Sequence, residues 1–192
     1  MIVTEPKWKA YIVTTNEPVF TPEQCQEIIK IGREQPKQNA QVGINKNGEV
    51  DLKKRTSDIS WIPFDKAIPM YSLIEELMLK INNNHFGFEG MKLTEQAQYT
   101  EYQSGGFYDW HVDNDVVFEK EPPVRKISMT LALSPDDEYE GGGLELMENG
   151  KFVRPKQGHA IFFASFCRHR AVEVTRGVRR SLVMWFGGPP FK

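Results

Sequence analysis

Apolar positions recur mainly at helical spacing in the first 90 residues and alternate over short runs from Lys92 onward. Trp8–Thr14 ends in the strand-like YIVT. Thr21-Pro22-Glu23-Gln24 then supplies an N-cap, a proline at the first helical position and a capping-box glutamine. Ile28, Ile29 and Ile31-Gly32 give the predicted helix an apolar side as far as about Glu34. After the polar stretch Gln35–Glu49, RTSDISWIP predicts a short strand with Ile59 and Trp61 as its apolar points and Pro63 as its stop. A second helix is expected over Pro69–Ile81, where Met70, Leu73, Leu77 and Ile81 repeat at steps of three or four.

The later pattern has period two. LTEQAQYTEY places Gln96, Gln98, Thr100 and Tyr102 on one face and Ala97 and Tyr99 on the other. KISMTLALS, GGGLELM, KFVRP, HAIFFASF and RRSLVMWF continue the series, with Gly150 as a hairpin turn. Many short strands punctuated by Gly, Pro and Asp predict a sandwich or barrel, and a jelly roll is the form that closes around a small site. The expected architecture is mainly β with a helical brace: residues 1–90 as helical support and 91–189 as a double-stranded β-helix core, in one domain.

Composition narrows the function. The net charge of −2 makes no electrostatic case for nucleic acid or anionic lipid. Two cysteines, Cys25 and Cys167, are too few for a disulfide framework and fit a reducing compartment. MIVTEPKWKA lacks an apolar leader core, and the longest apolar run, Ala160–Phe166, is too short to span a bilayer. A cytoplasmic protein without membrane or nucleic-acid partners is the expectation, and oligomeric state is not readable.

The chemistry concentrates in YQSGGFYDWHVD, Tyr102–Asp113. On an extended strand His111 and Asp113 share a face while Val112 points into the wall. His169, in FCRHRAVEV, offers a third ligand beside strand-like sequence. Two imidazoles and a carboxylate suit a divalent first-row metal, and that set is the facial triad of non-haem Fe(II) oxygenases. Arg179 stands ten residues beyond His169 in TRGVRRSLVMWF. Alternation sends Arg179 and Arg180 to opposite sides and does not by itself choose between them.

These motifs, in this order, resemble the 2-oxoglutarate and Fe(II)-dependent dioxygenases, in particular their prolyl 4-hydroxylase-like branch. The resemblance runs from about Gln96 to Phe186. It rests on Tyr102-x-x-Gly105-x-x-Tyr108-x-x-His111-x-Asp113, then Arg125-Lys126-Ile127-Ser128, Tyr139-Glu140-Gly141-Gly142, His169 and Arg179. It implies a double-stranded β-helix, Fe(II) on His111, Asp113 and His169, and 2-oxoglutarate and O₂ as co-substrates, with ascorbate dependence implied by the family alone. It also selects Arg179 as the partner of the far carboxylate of 2-oxoglutarate, for which a planar, permanently charged guanidinium is suited. Tyr102 would add a hydroxyl there. Halogenases of the family have a small residue where Asp113 stands, so hydroxylation is implied. Two departures concern the co-substrate and substrate. Thr130 and Ala132 occupy the strand where several prolyl hydroxylases place a tyrosine against 2-oxoglutarate, with Thr130 as the replacement hydroxyl, and Gly143 stands where an acidic residue is common.

Tyr108, Trp185 and Arg125 are candidate substrate contacts, and each has a plainer reading. Tyr108 can simply pack beside the site. Trp185, like Trp61 and Trp110, can be a core aromatic, and Arg125 a charge paired at the rim. His85 and His159 lack partner spacing and read as structural, and Gly105, Gly106, Gly141 and Gly142 as backbone turns. The leading expectation is hydroxylation of a peptidyl residue, proline first, in a peptide or protein substrate. A free amino acid or small metabolite is the second candidate, and a cupin-like metal-binding module without turnover the third. Arg179 discriminates, because a bare metal module needs no such cation. Gln35–Glu49 and Asp115–Pro123 are long enough for a peptide groove or a lid.

Overall fold

A computed structural model of the chain describes residues 10–39, 55–114, 123–147 and 150–191. In chain order the first half contributes β1 (Ile12–Thr14), α1 (Pro22–Glu34), β2 (Gln38–Asn39), β3 (Arg55–Thr56), β4 (Asp58–Ile62), α2 (Ile68–Ile81) and β5 (Lys92–Leu93). The second half is strands: β6 (Ala97–Tyr102), β7 (Phe107–His111), β8 (Val124–Ala132), β9 (Tyr139–Gly141), β10 (Leu144–Leu146) and β11 (Lys151–Val153). It closes with β12 (Ala160–Ala164), β13 (His169–Ala171), β14 (Val174–Gly177) and β15 (Arg179–Gly188).

Among the described residues every pairing is antiparallel. The larger sheet runs β1-β12-β8-β15-β6-β4-β2, with β5 added to one end of β15; the smaller runs β11-β10-β13-β7-β3. This is the expected jelly roll. It explains the period of two in β6, β8 and β15, because the larger sheet has two different faces. Ala97, Tyr99, Met129, Leu131, Leu182, Met184 and Phe186 belong to the core shared with the helices. The alternate residues Gln98, Tyr102, Thr130, Arg179, Ser181, Val183 and Trp185 line a cavity on the other side.

α1 is started as its sequence predicts, by a capping box in which Gln24 N–H donates to Thr21 Oγ1 and Thr21 N–H to Gln24 Oε1. It lies very close to the sheet. A Cβ on Gly32 would stand 2.4 Å from the Tyr99 ring, and Ser60 Oγ donates to Gly32 O at 2.6 Å. α2 is turned relative to the expected face. Its buried residues are Met70, Tyr71, Ile74, Met78 and Ile81, while Leu73 is 42% exposed. Tyr71 sets that rotation, since its hydroxyl donates to Ile62 O and accepts from Ala97 N–H, tying the helix to β4 and β6.

Three further expectations are revised. Ile59 and Trp61 face the cavity, and the core side of β4 is carried by Ile62. The strand bearing the His-x-Asp pair ends at His111, so Asp113 lies beyond it, tied by its N–H to Ser165 O. Val112 is therefore no wall residue: it is 39% exposed at the cavity. Of the two loops expected to form a groove or lid, residues 40–49 and 115–122 lie outside the described residues, as do Trp8 and Lys9 of the first predicted strand.

Candidate active site

His111 ends β7 and His169 begins β13, and these two residues are direct register partners. The pairing overcomes their separation in sequence and sets the rings 4.1 Å apart. Asp113 Oδ1 lies 3.6 Å from His111 Nε2, and Asp113 Oδ2 3.5 Å from His169 Nε2. One donor atom from each of the three residues falls within 4.8 Å of the others. Each Nδ1 faces a backbone carbonyl, that of Asp109 at 2.7 Å for His111 and that of Cys167 at 2.9 Å for His169. A carbonyl only accepts, so each Nδ1 carries the proton and each Nε2 turns its lone pair inward. The donor set, with its imidazoles oriented from behind, fits a divalent metal.

Electrostatics acts on two of the three donors, His111 and Asp113. Burial, then the neighbouring His169, lowers His111 to about 4, so its imidazole is neutral at physiological pH. Burial opposes ionisation of Asp113, yet its carboxyl lies below the ordinary value through the positive charge that His169 and His111 carry when protonated, with the Ser128 hydroxyl and the Trp185 indole adding to it. The indole N–H approaches without completing a hydrogen bond.

These groups open onto a cavity of about 680 Å³. Arg179 is 5% exposed and its guanidinium lies 5.2 Å from the centre of the Tyr102 ring, the Tyr102 backbone being its register partner on β6. Among the described residues no carboxylate pairs with it. Arg180 points the other way, to Glu138 at 2.7 Å and Glu101 at 3.4 Å, which resolves the choice that alternation left open. Gly142 makes room for Arg179: its φ is +64°, and a Cβ there would stand 2.9 Å from Arg179 Cδ.

The remaining predicted residues divide. Tyr108 stacks on His111 with ring centres 3.5 Å apart, and burial pushes its hydroxyl up to about 12. Trp185 lines the cavity beside Trp61, their rings 6.0 Å apart, so both are cavity walls rather than interior packing. Trp110 is no core residue either; it is half-buried near the Arg168 and Arg170 guanidiniums. Arg125 lies over the Trp185 ring at 4.1 Å, its guanidinium held by both Glu95 oxygens. Thr130 lines the cavity opposite Val183. His159 is structural, Nδ1 meeting Thr15 O. Gly143 lies under the Phe152 ring, 2.2 Å from where a Cβ would be, which leaves no room for an acidic side chain unless that ring shifts.

Sequence reading missed two residues. Ser181 is 1% exposed, its Oγ has no partner among the described residues, and it stands directly across from Ala132. Alternation from Arg179 could have found it. Arg55, 7% exposed, also enters the cavity; no local pattern announces it, because β3 reaches the site only by pairing with β7.

Fold and site together define a jelly-roll protein in which two histidines and one carboxylate form a candidate metal site. Residues 97–187, the stretch that carries the triad and Arg179, match the family model of the 2OG-Fe(II) oxygenase superfamily. Over 89 residues the chain is 35% identical to a PKHD-type hydroxylase of Pseudomonas fluorescens, a match covering 44% of this chain and 39% of that relative. The chain thus spans well under two thirds of that relative's length. The fold is shared with the viral collagen prolyl hydroxylase of Paramecium bursaria Chlorella virus-1 (TM-score 0.72, 17% identity, 94% of this chain and 97% of that one). It is shared too with a prolyl hydroxylase from Trichoplax adhaerens in complex with a hypoxia-inducible-factor peptide (TM-score 0.70, 18% identity, 92% and 83%). No helix among the described residues is long and apolar enough to cross a membrane.

Proposed function

We propose that this protein is an Fe(II)- and 2-oxoglutarate-dependent oxygenase that hydroxylates a substrate C–H, with a peptidyl proline as the first candidate. One observation carries the reading: three metal-ligand atoms within 4.8 Å share a cavity with a buried guanidinium that has no carboxylate partner among the described residues. His111, Asp113 and His169 would hold the metal through Nε2 and carboxylate oxygens, a donor set that suits Fe(II). A metal held there would supply the site for the O₂ chemistry in which 2-oxoglutarate becomes succinate and CO₂ and the substrate C–H becomes C–OH.

The protein's own share is orientation. Arg179 forms a two-pronged pair with the far carboxylate of 2-oxoglutarate, and the Tyr102 and Ser181 hydroxyls complete its hydrogen bonds. Ser181 suits this better than Thr130, because it is the next inward residue after Arg179 on the same strand. Trp61, Trp185 and the Glu95-held Arg125 form the wall on which substrate lies, and Tyr108 packs behind His111. The peptide assignment draws on the prolyl hydroxylases that share the fold. A metal module without turnover would bury Arg179 to no purpose.

The test is succinate release from 2-oxoglutarate by purified protein with Fe(II) and O₂, without and with proline-containing peptides, beside Asp113→Ala and Arg179→Ala. Iron-dependent release lost in both variants supports the oxygenase. No release from folded, iron-loaded protein under any of these conditions would overturn it.

A further inference from the structure

The cavity holds one more cation than the proposed chemistry uses. Of its three guanidiniums, Arg125 is neutralised by Glu95 and Arg179 is assigned to 2-oxoglutarate. Arg55 remains. Its Nε donates to Ser57 Oγ and one terminal nitrogen donates to Gln98 Oε1, each at 2.8 Å. Both partners are neutral, and among the described residues no carboxylate pairs with it. A guanidinium has five N–H donors, so most of its hydrogen-bonding capacity is still available in the cavity.

Its position is as informative as its charge. Arg55 lies over the Tyr108 ring at 4.6 Å, and Tyr108 stacks in turn on His111, so a single aromatic ring separates this cation from a metal-ligating imidazole. Arg55 comes from the smaller sheet through β3, whereas Arg179 comes from the larger sheet through β15. The two cations are thus built into different walls. A divalent metal offsets Asp113, and the dianionic co-substrate offsets Arg179 and the charge left on the metal. Among the described residues Arg55 stays uncompensated, and a buried unpaired cation is costly unless a ligand neutralises it.

Resting on the oxygenase reading of the site, we infer that Arg55 receives a carboxylate of the primary substrate, so that the hydroxylated residue itself, or its immediate chain neighbour, bears a carboxylate. Three sources share that chemistry: a free amino acid, a peptide C-terminus, and an Asp or Glu side chain beside the target. Gln98 and Ser57 hold the guanidinium in place and leave its remaining edge to the incoming anion.

Binding tests this without requiring turnover. Anaerobic full-length protein with Mn(II) and 2-oxoglutarate is titrated with matched probes, read by quenching of tryptophan fluorescence, since Trp61 and Trp185 line the cavity. The pairs are L-proline and L-prolinamide, N-acetyl-Ala-Pro acid and its amide, and N-acetyl-Pro-Glu amide and N-acetyl-Pro-Gln amide. In at least one pair the carboxylate member is expected to bind about tenfold or more tightly, and Arg55→Gln to abolish that preference while 2-oxoglutarate affinity changes by less than about twofold. Arg55→Lys, which keeps the charge, should retain part of the preference and controls for folding. The pair that discriminates names the source. Equal binding, or no binding, of both members in every pair overturns the inference, as does a preference that survives Arg55→Gln. A fall in 2-oxoglutarate affinity as large as the lost preference also overturns it, because Arg55 would then serve the co-substrate. Absent succinate release with intact charge discrimination would instead overturn only the oxygenase reading.

Discussion

At the scale of single residues, Arg179 is the side chain whose removal should be most specific. Truncating one partner of a desolvated charge pair costs about 2–5 kcal/mol, so Arg179→Ala should raise the KM for 2-oxoglutarate by roughly two orders of magnitude. Ser181→Ala removes one hydrogen bond to a carboxylate, about 1.5–3 kcal/mol, and should raise the same KM roughly ten- to a hundredfold, with kcat nearly unchanged. Succinate release at varied 2-oxoglutarate measures both. An unchanged KM in Ser181→Ala would show that its buried Oγ does not meet the co-substrate, and would return Thr130 to that role.

At the scale of elements, the stability of the brace rests on how closely α1 approaches the larger sheet. Gly32→Ala places a methyl group against the Tyr99 ring and should destabilise the protein by about 1–3 kcal/mol, read as a shift in the urea midpoint. The same helix is tied down by Glu101, which is 4% exposed and accepts from Arg33 Nε at 2.8 Å and from the Tyr99 hydroxyl at 2.6 Å. Burial would raise this carboxyl, but those two hydrogen bonds and the Arg33 and Arg180 charges win and lower it. The unfolded chain then binds a proton at Glu101 before the folded one does. The contribution is complete above the ordinary glutamate range and is lost as pH falls through the depressed folded value. Thermal melts from pH 7 to pH 3 should show a smaller acid loss in Glu101→Gln than in the natural sequence. Equal slopes would mean that the α1 tether carries no linked stability.

At the scale of the whole molecule, the triad joins the two sheets. His111 and His169 belong to the smaller sheet, while Asp113 is bonded through its backbone to Ser165, just past β12 of the larger one. A metal bound there bridges the walls and stabilises only the folded state. At about a hundredfold excess over its dissociation constant it should add about 2.7 kcal/mol, roughly 5–10 °C in Tm for a chain of this size. Anaerobic calorimetry with Fe(II) or Mn(II) measures the shift, which Asp113→Ala should abolish. A full shift in that variant would place the stabilising metal elsewhere.

How much of this was legible depended on whether the signal was local. The capping box of α1 and the period of two in β6, β8 and β15 are properties of neighbouring positions, set by backbone geometry and side-chain chemistry, and reading the chain alone was enough for them, whereas His111 and His169 are brought together by strand pairing. Alternation also separates Arg179 from Arg180, though it cannot say which faces the cavity. Sidedness came from packing. The larger sheet is covered by helices on one face and hollow on the other, so the same alternation that buries Leu182 and Met184 turns Arg179 and Ser181 inward. The rotation of α2 is decided by one tyrosine hydroxyl that reaches two strands. Arg55 enters the site through strand pairing between distant segments, and Trp61 and Trp185, which their apolar character alone would send to the core, are cavity walls for the same reason. The sequence by itself pointed to a class of chemistry and to the β-rich region that carries its candidate residues. Only the tertiary structure decided which charges in the cavity are neutralised among the described residues and which are not, because that depends on contacts between residues far apart in the chain.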